Sequence, residues 1–260
     1  MLHLSSTQNK QLKRLKSLQD KAKKRKLENA FVIEGQKEIT HAIKGGYQME
    51  ALFFKEGCEF EFAETIKNQP GLYSVTPTLI ERFCYRKTST VIAIAQCKTH
   101  GFDQLLQKKD SPFILVAESP EKPGNIGALL RTADAMGVDF CVLIDPKTDL
   151  YNPNVIRSSV GCLFSVPVVT SSLKQAFDYF EQHKITVYSA ALTKHAQTYT
   201  QFDYTQPTAI AVGTEDKGLT PAFLDQKNTP IIIPMRGQND SLNVSVAAGI
   251  ILAEVQRQRN

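Results

Sequence analysis

Three short clusters in this 260-residue sequence combine residue types that chemistry needs. The first runs Pro123-Gly124-Asn125-Ile126-Gly127-Ala128-Leu129-Leu130-Arg131-Thr132-Ala133-Asp134. Its Pro/Gly turn reads as the junction of a strand and a helix, with Asn125 near the N-cap and Arg131 almost two turns in. A helix N-terminus offers free N–H groups and partial positive charge, and both suit a phosphate. The second, Val212-Gly213-Thr214-Glu215-Asp216-Lys217-Gly218, follows a strand. Its two glycines let the backbone turn sharply or approach a ligand closely. The third runs Ile231-Ile232-Ile233-Pro234-Met235-Arg236-Gly237 and then Ser241-Leu242-Asn243-Val244-Ser245-Val246-Ala247-Ala248-Gly249. Here a strand meets a turn and then a polar-capped helix packed through small residues. Taken singly, each cluster also reads as an ordinary loop or capped helix, because short polar residues favour caps for local reasons.

Other chemistries lose their support. No G-x-G-x-x-G follows the first strand of either half, and no G-x-x-x-x-G-K-[ST] occurs, which removes the main signs of a Rossmann dinucleotide site and a P-loop. None of His3, His41, His100, His183 and His195 sits in a motif for a nucleophile or base, and there is no G-x-S-x-G elbow. The cysteines (Cys58, Cys84, Cys97, Cys141, Cys162) are odd in number, with no C-x-x-C pair and no histidine at finger spacing. A disulfide framework and a zinc site are therefore not expected, nor is any other metal.

The elements that must position these clusters follow from hydrophobic patterning. With 42% hydrophobic and 22% charged residues the chain has the composition of a folded protein. Its longest nearly unbroken apolar stretch, Val244 to Ala253, falls short of the roughly 20 residues of a membrane span. The start, Met1 to Ser6, has no apolar signal core, so a cytoplasmic location is expected. In the first half, strands are predicted at Phe31–Ile33, Met49–Lys55, Leu72–Val75 and Val91–Ala95. Helices are predicted at Gln36–Lys44, Glu61–Lys67 and Thr78–Phe83. A polar linker at Lys98–Ser111 precedes a second alternation. Strands are expected there at Phe113–Ala117, Phe140–Ile144, Val166–Val169, Ile185–Ser189, Ala209–Val212 and Ile231–Ile233. The accompanying helices are Ile126–Met136, Leu173–Gln182, Pro221–Asp225 and Val244–Gln256. Continuous apolar strands separated by helices point to a parallel sheet covered on both faces. The expected organisation is an α/β chain with domains at 1–104 and 105–260.

Charge is unevenly placed. Lys10, Lys13, Arg14, Lys16, Lys21, Lys23, Lys24, Arg25 and Lys26 face the single acid Asp20, whereas the whole chain carries only +5. Leu12, Leu15 and Leu18, then Ala22, recur at helical spacing, so the segment reads as a helix with one apolar stripe and a basic outer face. That face is either simply solvated or the footprint of a polyphosphate partner.

In this order and spacing the three clusters resemble the signature motifs of the SpoU (TrmH) family of RNA ribose 2′-O-methyltransferases, within the SPOUT superfamily. The match is N-x-G-x-x-x-R-T-A at Asn125–Ala133, G-x-E-x-x-G at Gly213–Gly218, and I-P-M then S-L-N-V-S at Ile233–Ser245. Asn152-Pro153, Arg157 and Ser159-Val160-Gly161 are similar to the family's middle segment. Asn9–Leu18 and Phe31–Gly35 resemble its accessory domain. Lys122 departs from the pattern, since many relatives carry Asp before the proline.

The resemblance implies a C-terminal domain with a parallel sheet and a deep trefoil knot, an exception to the rule that folds are unknotted. It implies a smaller N-terminal α/β, ribosomal-protein-like substrate-binding domain. S-adenosylmethionine would sit in the knot, held by main-chain groups of Gly213, Ile233 and Leu242, at a two-fold homodimer interface. Arg131 would grip a phosphate and stabilise the developing oxyanion, because a guanidinium does not give up its proton. Asn125 would orient Arg131 or the ribose, Glu215 would hold its loop, and Ser241 and Asn243 would complete the pocket. Lys23, Lys24, Arg25, Lys26 and Arg157 would contact RNA. The expected partner is structured RNA, with 23S ribosomal RNA preferred and transfer RNA the alternative. A non-catalytic RNA-binding or ribosome-assembly protein on the same fold is the competing class; neither DNA nor a membrane is an expected partner.

Overall fold

The computed structural model describes residues 2–58, 71–105 and 110–260. The predicted helix Glu61–Lys67 and the Lys108-Lys109 pair of the predicted linker lie outside the described residues. Contacts divide the chain into two units. One is Met1–Lys98 with Asp149–Ser165, and the other is Thr99–Thr148 with Val166–Asn260. These limits differ from a cut between residues 104 and 105, and local packing explains both differences. Phe102 stacks on Tyr179 at 4.3 Å, which ties the stretch after Lys98 to the second unit. Tyr151 stacks on Phe31 at 4.3 Å and Phe164 meets Tyr47 edge-on at 5.0 Å, which ties Asp149–Ser165 to the first. The Tyr151 hydroxyl also donates to the Lys98 carbonyl at 2.5 Å and accepts from the Lys98 N–H at 2.8 Å.

The first unit is built on a five-stranded mixed sheet. Its strands are β1 (Leu2–Leu4), β2 (Ala30–Glu34), β3 (Met49–Lys55), β4 (Leu72–Val75) and β5 (Val91–Gln96), in the order β1-β4-β3-β5-β2. Strand β5 runs antiparallel to both β2 and β3, whereas β1, β4 and β3 are mutually parallel neighbours. The basic stretch does form helix, but as two pieces, Lys10–Asp20 and Ala22–Glu28. Lys21 between them is extended, at φ −121° and ψ 109°. Asn9 caps the first piece by accepting from the Gln11 N–H at 2.8 Å. Leu12, Leu15 and Leu18 are buried against Val32, Phe53 and Val75, each worth about 1.5–3 kcal/mol relative to exposure. Ala22, expected to extend the stripe, is exposed because the break at Lys21 rotates the second piece away. The helix predicted at Thr78–Phe83 is the single turn Pro77–Ile80.

The second unit is a seven-stranded, wholly parallel sheet. Its strands are β6 (Phe113–Glu118), β7 (Phe140–Ile144), β8 (Val168–Ser171), β9 (Thr186–Ala190), β10 (Gln197–Thr198), β11 (Thr208–Val212) and β12 (Thr229–Ile232). They lie in the order β10-β12-β9-β11-β6-β7-β8. Strands β6, β7 and β11 are buried along their whole length, which is why they read as unbroken apolar runs. Helices Pro123–Ala135, Leu173–Gln182 and Val244–Arg259 flank the sheet sequence, the middle one opened by a Ser172/Gln175 capping box. The chain steps from β6 outward through β7 to β8, and then crosses to the other side of β6 for β9, β11 and β12. In open parallel sheets, ligands bind beyond the carboxyl ends of strands near such a reversal. No helix among the described residues is long and apolar enough to cross a membrane.

Candidate active site

Beyond the carboxyl ends of β9, β11 and β12 lies a pocket of about 460 Å³ in the second unit, a size typical of small-molecule sites. Gly213, Glu215, Ile233, Ser241 and Leu242 all line it. The second and third sequence clusters therefore meet at one place.

The loop after β11 shows why its glycines stand where they do. Thr214 and Gly218 exchange backbone hydrogen bonds at 3.0 and 2.9 Å, closing a tight bridge. A Cβ on Gly213 would lie 2.0 Å from the Gly218 carbonyl carbon, so no side chain fits there. Gly218 itself has φ +65°, in the left-handed region that glycine occupies without strain. The closed loop places Glu215 against the pocket. Its Oε2 lies 3.5 Å from Lys122 Nζ, and its Oε1 is buried without a hydrogen-bond partner among the described residues. The residue that departs from the family pattern is thus the ion partner of Glu215. In sequence Lys122 marks only a departure from the family pattern; the fold brings it to the second cluster.

The first and third clusters meet through their asparagines. Asn243 caps the Val244–Arg259 helix, its Oδ1 accepting from the Ser245 N–H at 3.0 Å and the Ser245 hydroxyl at 2.6 Å. Its Nδ2 donates to Asn125 Oδ1 at 3.4 Å. Asn125 is the third residue of its helix, and Lys122 takes the cap position expected nearer to it, because Pro123 opens the helix. Asn125 and Asn243 adjoin one another outside the pocket lining. Arg131, exposed on the Pro123–Ala135 helix, has no hydrogen-bond or ion-pair partner among the described residues. A free guanidinium of this kind is available to an anion.

Sequence reading also missed Glu118, the last residue of β6. It is 5% exposed and accepts from the Thr220 N–H at 2.7 Å and the Thr220 hydroxyl at 2.5 Å, so it pins the chain just after the Gly213–Gly218 loop. Burial pushes the thiols of Cys84, Cys97 and Cys141 up to about 12, which leaves them as neutral thiols at neutral pH. Among the described residues no group of three or more His, Cys, Asp or Glu could hold a metal ion.

The proposed RNA contacts fare unequally within the first unit. Lys23 and Lys26 are exposed, and Lys24 is half-buried with its Nζ 2.7 Å from Glu28. Arg25 is not an RNA contact: it is 3% exposed. Its Nε donates to Asp149 at 2.5 Å, and its Nη1 donates to the carbonyls of Leu18 and Gln19 at 2.6 and 3.1 Å. It satisfies the last carbonyls of the Lys10–Asp20 helix, a place where a cation also meets the negative end of the helix dipole. Arg157 is half-buried, with its guanidinium over the Tyr85 ring.

Residues 112–253 match the SpoU rRNA Methylase family model, and residues 9–93 match that of the MRM3-like substrate binding domain. The chain is 30% identical to the 23S rRNA (guanosine(2553)-2′-O)-methyltransferase RlmP of Bacillus subtilis, over 97% of this chain and 98% of that one. A tRNA (guanosine(18)-2′-O)-methyltransferase of Thermus thermophilus is 35% identical, over 63% of this chain and 84% of its own length. Among solved structures, the SpoU methyltransferase AviRb of Streptomyces viridochromogenes, in complex with AdoMet, superposes with a TM-score of 0.85 at 27% identity, over 96% of this chain and 99% of that one.

Proposed function

The chain belongs to the SpoU rRNA methylase family, and from that premise we propose that it methylates a ribose 2′-hydroxyl of 23S ribosomal RNA. It is an S-adenosylmethionine-dependent RNA 2′-O-ribose methyltransferase. The observation that carries the reading is the pocket in which the second and third motif clusters converge, closed by a loop that only glycine permits at Gly213. Ribosomal RNA is preferred because a 23S rRNA relative matches nearly the whole chain, whereas the tRNA relative matches 63% of it. The first unit is assigned to RNA recognition and the second to catalysis.

The pocket suits the cofactor. Ile233 and Leu242 offer apolar walls, the Gly213 backbone can be approached closely, and the unpartnered Glu215 Oε1 can accept from a ligand N–H or O–H. Gly213, Ile233 and Leu242 would hold the cofactor, with Ser241 completing the wall. Bound there, it supplies a sulfonium-borne methyl group whose carbon–sulfur bond breaks as the bond to the ribose oxygen forms. Arg131 grips the phosphate beside the reacting ribose and stabilises the charge that develops on the 2′-oxygen. The hydroxyl proton leaves to solvent or phosphate, since the guanidinium stays charged. Asn125 and Asn243, hydrogen-bonded to each other, fix the start of one helix against the start of the other and so set the direction in which Arg131 projects.

A homodimer belongs to the same reading. It is supported by Leu192 and Leu242 at the pocket and Val246 on the adjoining helix, apolar side chains that are 74%, 39% and 49% exposed. The trefoil knot is proposed for the stretch from Gly213 to Asn243, supported by the loops on either side of β12 walling one pocket. A ribosomal RNA substrate would place the protein in the cytoplasm.

The test is transfer of labelled methyl groups from S-adenosylmethionine to separated ribosomal and transfer RNA, with Arg131→Ala alongside. Incorporation into 23S rRNA as an alkali-resistant linkage, lost in the variant, is the expected result. Incorporation into transfer RNA alone would overturn the substrate; no cofactor binding at all would favour the RNA-binding module.

A further inference from the structure

The loop following the Pro77–Ile80 helix holds Tyr85 71% exposed. A single exposed aromatic residue is unremarkable in itself. What surrounds this one is not random. The Tyr85 and Arg86 N–H groups each donate to one oxygen of the Glu34 carboxylate, both at 2.8 Å, so the loop is clamped to the end of β2. Arg86 is held in turn by Glu38 at 2.8 Å, and the Gln19 amide donates to the Phe83 carbonyl at 2.6 Å. The Arg157 guanidinium sits over the Tyr85 ring, 3.6 Å from its centroid, and is itself held by Asn154 Oδ1. One face of a fixed tyrosine is therefore covered by a cation, and the rest of the ring is left in solvent.

The surroundings are cationic. Gln19, Glu34, Arg86 and Arg157 share the wall of one small cleft, so the end of the Lys10–Asp20 helix, the Tyr85 loop and the Pro153–Ser158 helix meet there. Exposed Lys21 and Lys23 follow directly after that helix end, and exposed Arg82 and Lys87 lie on the loop itself. The carboxylates of Glu34 and Glu38 are already engaged, by the two N–H groups and by Arg86.

We propose that Tyr85 and Arg157 form a stacking site for one unpaired base of the RNA substrate, in a column of guanidinium, phenol ring and base. Lys87, Arg82 and Lys23 take the flanking phosphates. Single-stranded loops and bulges expose bases that stack on aromatic faces, and a tyrosine ring already backed by a guanidinium on one face offers its other face preset for one. This site rests on the RNA methyltransferase reading and adds to it the element recognised, a splayed base rather than a duplex.

The experiment uses the full chain with protein-free 23S rRNA and follows RNA affinity, methyl transfer and S-adenosylmethionine binding together. Tyr85→Ala is expected to weaken RNA binding about tenfold, in line with the loss of one stacked base, with kcat at saturating RNA and cofactor affinity unchanged. Tyr85→Phe keeps the stack and stays within about twofold of wild type by the same logic. Lys87→Gln should lower the slope of log affinity against log salt by about 0.7, one phosphate's worth on a single strand. Ultraviolet cross-linking should join RNA to the peptide that contains Tyr85. Wild-type RNA affinity in Tyr85→Ala, with methyl transfer by the wild-type protein intact, overturns this site and leaves the function standing. A fall in cofactor affinity or melting temperature that accounts for the RNA effect overturns it also, in favour of a structural role. Failure of the wild-type protein to bind or methylate RNA overturns the function, and this site with it.

Discussion

The Ala22–Glu28 and Pro123–Ala135 helices each carry an arginine that the sequence marks for phosphate, and the two have opposite surroundings. Arg25 lies in the densest run of positive charge in the chain, yet it is buried and spends its donors on Asp149 and two helix-end carbonyls. Arg131 has no cationic neighbours in sequence and stands exposed with no partner among the described residues. Local charge density is therefore a poor guide to which cation a ligand can reach. What decides is whether the fold has already supplied the cation with acceptors.

The sharpest test exchanges the expected outcomes of the two residues. Arg131→Ala should reduce kcat by about 10²–10³, the usual effect of removing one donor to a developing charge, while melting stays within about 0.5 kcal/mol of wild type. Arg25→Ala should do the reverse. It strands Asp149 and two carbonyls, so chemical denaturation should register a loss of about 2–4 kcal/mol, with turnover of the folded fraction retained. If Arg25→Ala kept full stability but lost RNA affinity, the comparison would fail. A smaller effect separates the caps. Asn243→Ala removes an N-cap and should cost about 1 kcal/mol, whereas Asn243→Ser keeps the cap and loses only the Asn125 contact. Any drop in turnover that Asn243→Ser shows at full stability measures that contact. The smallest effect concerns the exposed lysines: Lys23→Gln with Lys26→Gln should lower the salt slope of RNA binding by about 1.4 if both meet phosphates, without changing cofactor affinity.

Much of this was legible in the sequence where one residue pattern has one structural solution. The strands Met49–Lys55, Leu72–Val75 and Phe140–Ile144 and the helices Gln36–Lys44 and Leu173–Gln182 fall where their periodicity puts them. Gly213 and Gly218 were legible for the same reason, since the closing loop leaves no room for a side chain at the first and turns through φ +65° at the second. Strand β1 was not, because three residues with only Leu4 buried carry no alternation to detect. Strand β10 is shorter still. The break at Lys21 was hidden because lysine is a good helix former, and the carbonyls it leaves at the helix end are met by Arg25 from the next helix, a contact no local pattern records. Lys122 and Glu215 could not be paired from sequence, because nearly a hundred residues and five strands of the sheet come between them. Both are individually ordinary loop residues.

The placement of Asp149–Ser165 in the first unit has a consequence for how the protein comes into being. A domain emerging from the ribosome commonly folds once its own residues are out, N-terminal domain first. Here residues up to Lys98 emerge without Tyr151 and Phe164 to cover Phe31 and Tyr47, and without Asp149 to pair with Arg25. The first unit to be synthesised must wait, its aromatic face open, while two strands of the second, β6 and β7, are made. The N-terminal piece cut at residue 98 should accordingly aggregate when expressed alone and become soluble when a peptide spanning Asp149–Ser165 is supplied with it.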